Sequence, residues 1–201
     1  MALTAPTTRP LRALALAGAS VVLALGLGAC GSADKRDTTG TYAGEGGVSA
    51  PYLTVGSLVY QVQISRALNP YDEEDSLYLA GLTPAQAKLS PGEEWFAVFI
   101  QVTNESGHPQ PSARRITIAD TQQNVYVPVV PAGSNPFVYA PKTVEPNGRI
   151  PGLDSPAGSS PTQGALLLYK LKTYSLSNRP LELKIVDPTD PAHVAEAELD
   201  V

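Results

Sequence analysis

The chain has a single cysteine among its 201 residues, Cys30. This scarcity excludes an intramolecular disulfide, which needs two thiols. Basic residues are also in short supply, with 14 Lys and Arg against 19 Asp and Glu. Because Arg9 and Arg12 precede Cys30, the rest of the chain has 12 basic and 19 acidic residues, a net charge of −7. That sign is wrong for a phosphate-binding surface, and we expect no nucleic-acid partner.

Histidine, a residue that often carries catalysis or binds metals, is also scarce. The only two histidines are His108 and His193, each beside Pro or Ala in a predicted loop and without a partner at ligand spacing. The chain has no Gly-x-Ser-x-Gly elbow, no phosphate-binding glycine loop and no His-Glu-x-x-His motif. We therefore predict a protein that is not an enzyme and that uses no cofactor and no metal.

Residues 1–29 have the layout of a secretory signal peptide: two arginines, an uncharged apolar stretch and then small residues. The ending, Leu27-Gly28-Ala29-Cys30, resembles the lipobox of bacterial lipoproteins. The resemblance implies that the signal is removed before Cys30, that its sulfur receives a diacylglyceryl group, and that the new α-amine is acylated. Since two or more acyl chains anchor a protein stably, we expect Cys30 to hold the protein to membrane lipid on the outside of a bacterial cell membrane.

Two further segments follow Cys30. Residues 30–50 are rich in Gly, Ser, Thr and charge and have almost no apolar periodicity, which predicts a flexible tether. Apolar content rises at Pro51, so residues 51–201 are predicted to form one folded domain.

Apolar residues in this domain recur with the two-residue period of β-strands. Leu58, Tyr60, Val62 and Ile64 are predicted to share one face of a first strand. The sequence EEWFAVFIQVTN is apolar at nearly every position until Gln101, which predicts a central strand with Phe96, Val98, Ile100 and Val102 on one face and Trp95, Ala97 and Phe99 on the other.

The remaining patterns predict more strands and almost no helix. Ile116 and Ile118 before a polar turn, with Val125, Val127 and Val129 after it, predict an antiparallel hairpin. GALLLYKL, LELKIV and AEAELDV predict three later strands. The one helical turn that we expect opens at Thr83 and Pro84. Short strands at this density, separated by Pro and Gly, indicate an all-β sandwich.

These strands resemble the immunoglobulin-like domain of bacterial surface lipoproteins and secreted antigens, a family largely of unknown function. The resemblance implies an immunoglobulin-like antiparallel β-sandwich over about Tyr52 to Val201, and it concerns fold rather than activity. The matching positions are Val102-Thr103-Asn104, then Ile118, Asp120 and Tyr126, then Gly164 to Leu171.

The segment from Pro131 to Pro161 departs from a minimal sandwich, because proline recurs in it at every fifth residue. A connection of this length is uncommon unless it is functional or disordered. Phe137, Val138 and Tyr139 favour an ordered crossover that packs against the sheet.

A binding surface is predicted from an acidic run and from loop tyrosines. Asp72, Glu73, Glu74 and Asp75 are consecutive in a predicted loop between Tyr71 and Tyr78, and Tyr139 is a third tyrosine predicted in or beside a loop. Tyrosine combines apolar area with a polar tip, which suits recognition, but the simpler interpretation is that these side chains cap the ends of the sandwich core. The spacing and the glycine of an EF-hand are missing from the acidic run. Weak calcium binding by its carboxylates nevertheless stays open.

Three functional hypotheses follow. The first is an anchored module that binds a protein or an envelope polymer through the seven residues just named. The second is a structural or accessory envelope lipoprotein without a dedicated ligand. The third is an enzyme or a small-ligand carrier, which a deep pocket lined by converging polar groups would support.

Overall fold

The computed structural model describes residues 1–2, 36–41 and 52–200 of the chain. The described residues beyond Gly31 belong to one compact unit, Ser32–Val201. Its strands are β1 (Arg36–Thr41), β2 (Tyr52–Val55), β3 (Leu58–Leu68), β4 (Glu93–Asn104), β5 (Gln110–Pro111), β6 (Ile116–Ala119), β7 (Val125–Tyr126), β8 (Thr143–Val144), β9 (Arg149–Ile150), β10 (Ala165–Lys172), β11 (Leu181–Val186) and β12 (Val194–Asp200). Its helices are short: α1 (Glu73–Tyr78), α2 (Pro84–Ala87), α3 (Pro156–Ser159) and a 3₁₀ turn at Thr173–Ser177.

The strands form two large sheets and a small one. Sheet A has the order β1-β12-β11-β6-β7, and sheet B has the order β10-β4-β3-β2, with β9 pairing to the end of β4. A separate two-stranded sheet joins β5 to β8. Among the pairs in the described residues, β1 with β12 is parallel and the others are antiparallel.

The main core lies between sheets A and B. Phe96, Val98, Ile100 and Val102 of β4 lie in one buried cluster with side chains of sheet A such as Ile118. This shared core confirms the prediction of an all-β sandwich with antiparallel sheets. The narrower, immunoglobulin-like designation stays a prediction.

A second buried cluster covers part of the outer face of sheet B. Trp95, Ala97 and Phe99 of β4 lie in it, as the alternation of that strand predicts. The ring of Tyr78, from α1, meets the rings of Phe99 and Phe137 edge-on at centroid distances of 4.9 and 5.1 Å. β4 is therefore buried on both faces, which is why its sequence is almost continuously apolar.

Two details of the predicted alternation are wrong. The β3–β4 register shifts between Val62 and Ile64, so Ile64 packs against the second cluster rather than the main core. A one-residue bulge exchanges the two faces of a strand beyond it. In the hairpin, Val125 and Val127 are exposed, and Tyr126 between them packs against the main core.

The predicted helical turn and crossover are both present. Thr83 caps α2 in a capping box with Gln86, and Pro84 is its first residue. In the segment between Pro131 and Pro161, Phe137 and Tyr139 exchange backbone hydrogen bonds with Leu166 of β10, at 2.7 and 2.8 Å. This segment is therefore ordered against sheet B.

The predicted tether needs a correction at six residues. Arg36–Thr41 form β1, which pairs with β12 from Arg36 opposite Glu196 to Thr41 opposite Asp200. The prediction of an irregular segment from residue 30 to residue 50 is thus wrong for these six, which are polar enough to give no apolar period. Cys30, the predicted lipidation residue, lies outside the described residues.

Two polar side chains tie the ends of the sandwich. Buried Asn104 donates from Nδ2 to the carbonyl oxygens of His108 and Val144, both at 2.8 Å, and its Oδ1 accepts from the backbone and hydroxyl of Ser106. The second side chain is Asp120, directly after β6. Its buried carboxylate accepts four hydrogen bonds, from the backbones of Gln122 and Asn124 and from the side chains of Asn124 and Ser175.

The side chain of Glu94, unlike those of Asn104 and Asp120, has a buried polar atom without a hydrogen bond. Glu94 lies on the same face of β4 as Phe96, and its buried Oε1 has no hydrogen-bond partner among the described residues. Burial raises the pKa of Glu94. A raised carboxyl pKa favours folding at low pH and opposes it once the group ionises.

We expect Glu94→Gln to raise the melting temperature by about 2 °C at pH 7, because the neutral amide removes a desolvated charge. The gain should shrink as the pH falls and Glu94 itself becomes neutral. Calorimetry of both proteins between pH 4 and pH 7 measures this difference. An unchanged or lower melting temperature at pH 7 contradicts the prediction.

Candidate functional site

The acidic run is the start of a helix and not a loop, which corrects the sequence prediction. Asp72 is the N-cap of α1, and its Oδ1 accepts hydrogen bonds from the backbone of Glu74 and Asp75 at 3.0 and 3.1 Å. Aspartate is among the preferred N-cap residues, and carboxylates in the first turn favour the positive end of the helix dipole. The run therefore stabilises α1 locally.

Asp75 is occupied by the fold. It is buried, it forms a two-pronged ion pair with Arg66 of β3, and it accepts from the backbone of Asn69 at 2.7 Å. Burial alone raises the pKa of Asp75, but the hydrogen bonds from Arg66 and Asn69 outweigh it and lower the pKa. This carboxylate stays ionised and joins α1 to β3.

Glu74 is occupied in a similar way. Its Oε1 accepts from the hydroxyl of Tyr78 at 2.7 Å and from that of Thr162 at 3.1 Å. Burial and the bond to Glu74 raise the pKa of Tyr78 to about 12. Within the described part of the chain, no group of three or more His, Cys, Asp or Glu side chains is arranged to hold a metal ion. Of the predicted surface, Tyr71, Asp72, Glu73 and Glu74 are the exposed members.

The hydroxyls of three buried tyrosines bond to the backbone at or just before β6. The hydroxyl of Tyr139 donates to the carbonyl of Ala113 at 2.8 Å, and that of Tyr60 accepts from the Ala113 backbone N–H at 2.6 Å. Tyr169 of β10 donates to the carbonyl of Ile116 at 3.4 Å. Tyr78 and Tyr139 are 1% and 6% exposed, so the prediction that they form a binding surface is wrong and the core-capping interpretation is right for both.

The two histidines are not gathered into a common site. The imidazole Nδ1 of His193 lies 3.5 Å from Oδ2 of Asp187, a buried carboxylate that accepts from the backbone and hydroxyl of Thr189. His108 contributes its backbone carbonyl to the Asn104 network. A wide groove of about 430 Å³ lies beside Asp187, and its lining includes Arg114, Arg115 and three prolines.

A smaller depression, of about 220 Å³, lies on the part of sheet B that the second cluster leaves open. We call it the sheet B cleft; its lining is Tyr52, Val59, Gln61, Gln101, Thr103 and Glu105. Strand pairing places Tyr52 opposite Gln61 and Gln61 opposite Gln101, so these three side chains form one row across β2, β3 and β4. Val59 and Thr103 form the next row. These positions alternate with core residues, which places their side chains on the outer face.

The cleft presents polar groups that the described fold does not use. The side chains of Tyr52, Gln101, Thr103 and Glu105 have no hydrogen-bond partner among the residues that the structure describes. Gln61 is held by a 2.9 Å hydrogen bond that its Oε1 accepts from Nε2 of Gln63. The cleft therefore offers donors and acceptors on a rigid support.

Sequence reasoning did not select this site. The strand alternation puts Gln61 on the face opposite Tyr60 and Val62, and it puts Gln101 and Thr103 at the polar end of the Trp95 face, which is the signal that could have found them. Their alignment with Tyr52 depends on which strands pair and in which register, and the sequence does not supply that information.

No family model and no curated protein matches this chain. Two solved structures are similar in fold. The yjhA protein from Bacillus subtilis is 10% identical with a TM-score of 0.49, over 75% of this chain and 97% of that one. An uncharacterised β-sandwich protein from Clostridium difficile 630 is 9% identical with a TM-score of 0.42, over 82% of this chain and 94% of that one.

None of the helices in the described residues is both long and apolar enough to cross a membrane. Membership of the surface lipoprotein and secreted antigen family stays a prediction.

Proposed function

We propose that this protein is a lipid-anchored, extracytoplasmic binding module that acts without catalysis and binds an envelope partner. The observation that carries the proposal is the sheet B cleft, where the side chains of Gln101 and Thr103 lie on the outer face of β4, a long strand paired on both sides. Binding sites on strands are held more precisely than sites on loops. The row of Tyr52, Gln61 and Gln101 is positioned in this way.

The anchoring part of the proposal is supported by the sequence around Cys30. Positive residues, an apolar stretch and a lipobox-like ending occur in the order that export and lipidation require. Two acyl chains on Cys30 would supply the membrane affinity that one chain lacks.

Membrane fractionation tests the anchor. We expect the unaltered protein in the membrane fraction, with acyl groups on its Cys30 peptide in mass spectrometry. We expect the Cys30→Ala protein either in the soluble fraction or with its signal peptide still attached. Ser32→Ala is the matched control and should stay in the membrane fraction. A Cys30→Ala protein that is processed and stays as membrane-bound as the control contradicts the anchor.

Photo-crosslinking on intact cells tests the binding surface. Probes replace Gln101 in the cleft and Tyr71 beside α1, and a control probe replaces Thr117, which lies on the outer face of sheet A. We expect a recurrent partner from Gln101 that the Thr117 probe does not capture. Equal, diffuse crosslinking from the three positions favours the alternative, a structural envelope protein without a dedicated ligand. A partner captured from Tyr71 alone moves the surface to α1.

A further inference from the structure

The sheet B cleft is suited to a neutral, polyhydroxylated ligand. Its row of Tyr52, Gln61 and Gln101 contains no charged group, although the chain as a whole is acidic. Primary amides and hydroxyls both donate and accept hydrogen bonds, as sugar hydroxyls do. Glu105, which also lines the cleft, adds a carboxylate that accepts hydrogen bonds from such hydroxyls.

The aromatic side chain in the row adds an apolar surface. Tyr52 is 61% exposed at the start of β2, in register with Gln61. A tyrosine ring offers apolar area with little conformational entropy to lose, and its hydroxyl can remain in water. Sugar rings carry C–H groups on one face and hydroxyls around the edge, so a ring stacked on Tyr52 directs its edge towards the amide of Gln101.

The support of the row is rigid. Gln61 and Gln101 lie on the paired strands β3 and β4, whose inward neighbours Tyr60 and Val102 are in the main core. The hydrogen bond from Gln63 fixes the amide of Gln61. Little ordering is then left for the ligand to impose, which reduces the cost of binding.

The size of the cleft limits what fits. Its volume of about 220 Å³ is below the range of about 300–1,000 Å³ typical of sites for drug-sized ligands. One sugar unit of a longer chain fits such a space, with neighbouring units on the surrounding surface. Glu105 lines the cleft beside the second row. Arg149 of β9 pairs with Thr103 of β4 and lies at the end of that row.

We propose that the sheet B cleft binds one sugar unit of an uncharged glycan, through Tyr52, Gln101 and Thr103. This inference deepens the proposed function and names the chemical class of its envelope partner. It commits to a glycan rather than to a protein, because the row lacks the cluster of buried apolar or arginine anchors that dominates protein interfaces.

Affinity electrophoresis and calorimetry test the inference. The full chain in detergent is titrated with three neutral polysaccharides, a soluble β-glucan, a mannan and a galactan, and with hyaluronan as a charged comparison. We expect binding to at least one neutral polymer, with an affinity that changes less than twofold between 0.1 and 1 M NaCl, since salt screens charge and not neutral hydrogen bonds.

Variants locate the site. Gln101→Ala and Tyr52→Ala should each weaken binding at least tenfold, and the control Thr117→Ala should leave it unchanged, with the melting temperatures of all variants measured alongside. The inference is overturned by absence of binding to every neutral polymer, by binding to hyaluronan alone, or by folded cleft variants that bind like the unaltered protein. Glycan binding by a Cys30→Ala protein that has left the membrane separates failure of the anchor from failure of this site.

Discussion

Replacing Asn104 by aspartate should destabilise the protein by about 3–5 kcal/mol, the largest effect that we expect from an isosteric change. The two donors on Nδ2, each 2.8 Å from a carbonyl oxygen, are lost. A carboxylate oxygen takes their place and faces the carbonyls of His108 and Val144. Two like partial charges then meet in a site that is 1% exposed, where water cannot screen them.

Urea unfolding at pH 7 measures this effect. Glu105→Gln, the exposed neighbour, is the matched control and should change stability by less than 0.5 kcal/mol or so. Lowering the pH should return part of the loss, because the introduced carboxyl regains one donor when it is protonated. A loss below about 1 kcal/mol at pH 7 would show that the Asn104 network does not hold this end of the sandwich.

Replacing Asp120 by asparagine should cost about 1.5–3 kcal/mol at pH 7, the range of hydrogen bonds to a charged group. Both carboxylate oxygens accept hydrogen bonds from donors, and an amide –NH₂ would oppose the donors on one side. Burial raises the pKa of Asp120, but the bonds from Asn124, Ser175 and the backbone outweigh it and lower the pKa to about 2.

The pH dependence of this loss has a defined sign. A carboxyl whose folded pKa is depressed stabilises the fold fully above its unfolded pKa of 3.8, and this stabilisation is lost as the pH falls through about 2. The difference between the two proteins should be constant from pH 7 to about pH 5 and should narrow between about pH 4 and pH 2. Asp190→Asn, in an exposed turn, is the control. A difference independent of pH down to 2 would contradict the low pKa.

The predictable part of the fold is the part in which the strand period is undisturbed. β4 could be assigned with both faces because each of its positions from Trp95 to Ile100 is apolar and both sides are buried. Ile64 was misplaced because a bulge is a property of two paired strands, and one strand's sequence does not show it. β1 has no apolar period at all, and only its partner β12 makes it a strand.

The site was harder to predict because the same residue types serve folding and recognition. Tyr71 and Tyr78 flank one acidic run, yet one is 97% exposed and the other 1%. The difference comes from the packing of α1 on Phe99 and Phe137, contacts far apart in sequence. Asp72 could have been recognised as an N-cap from its position before three further carboxylates, because that arrangement is typical of a helix start.

The single tryptophan is an optical reporter of the outer buried layer. Trp95 is 2% exposed in the second cluster, with the ammonium of Lys170 5.0 Å from its ring centroid. The main core between the sheets contains no tryptophan. Partial opening of the outer layer, with α1 loosened from sheet B, is therefore visible as a shift in the wavelength of tryptophan emission even while the main core stays packed.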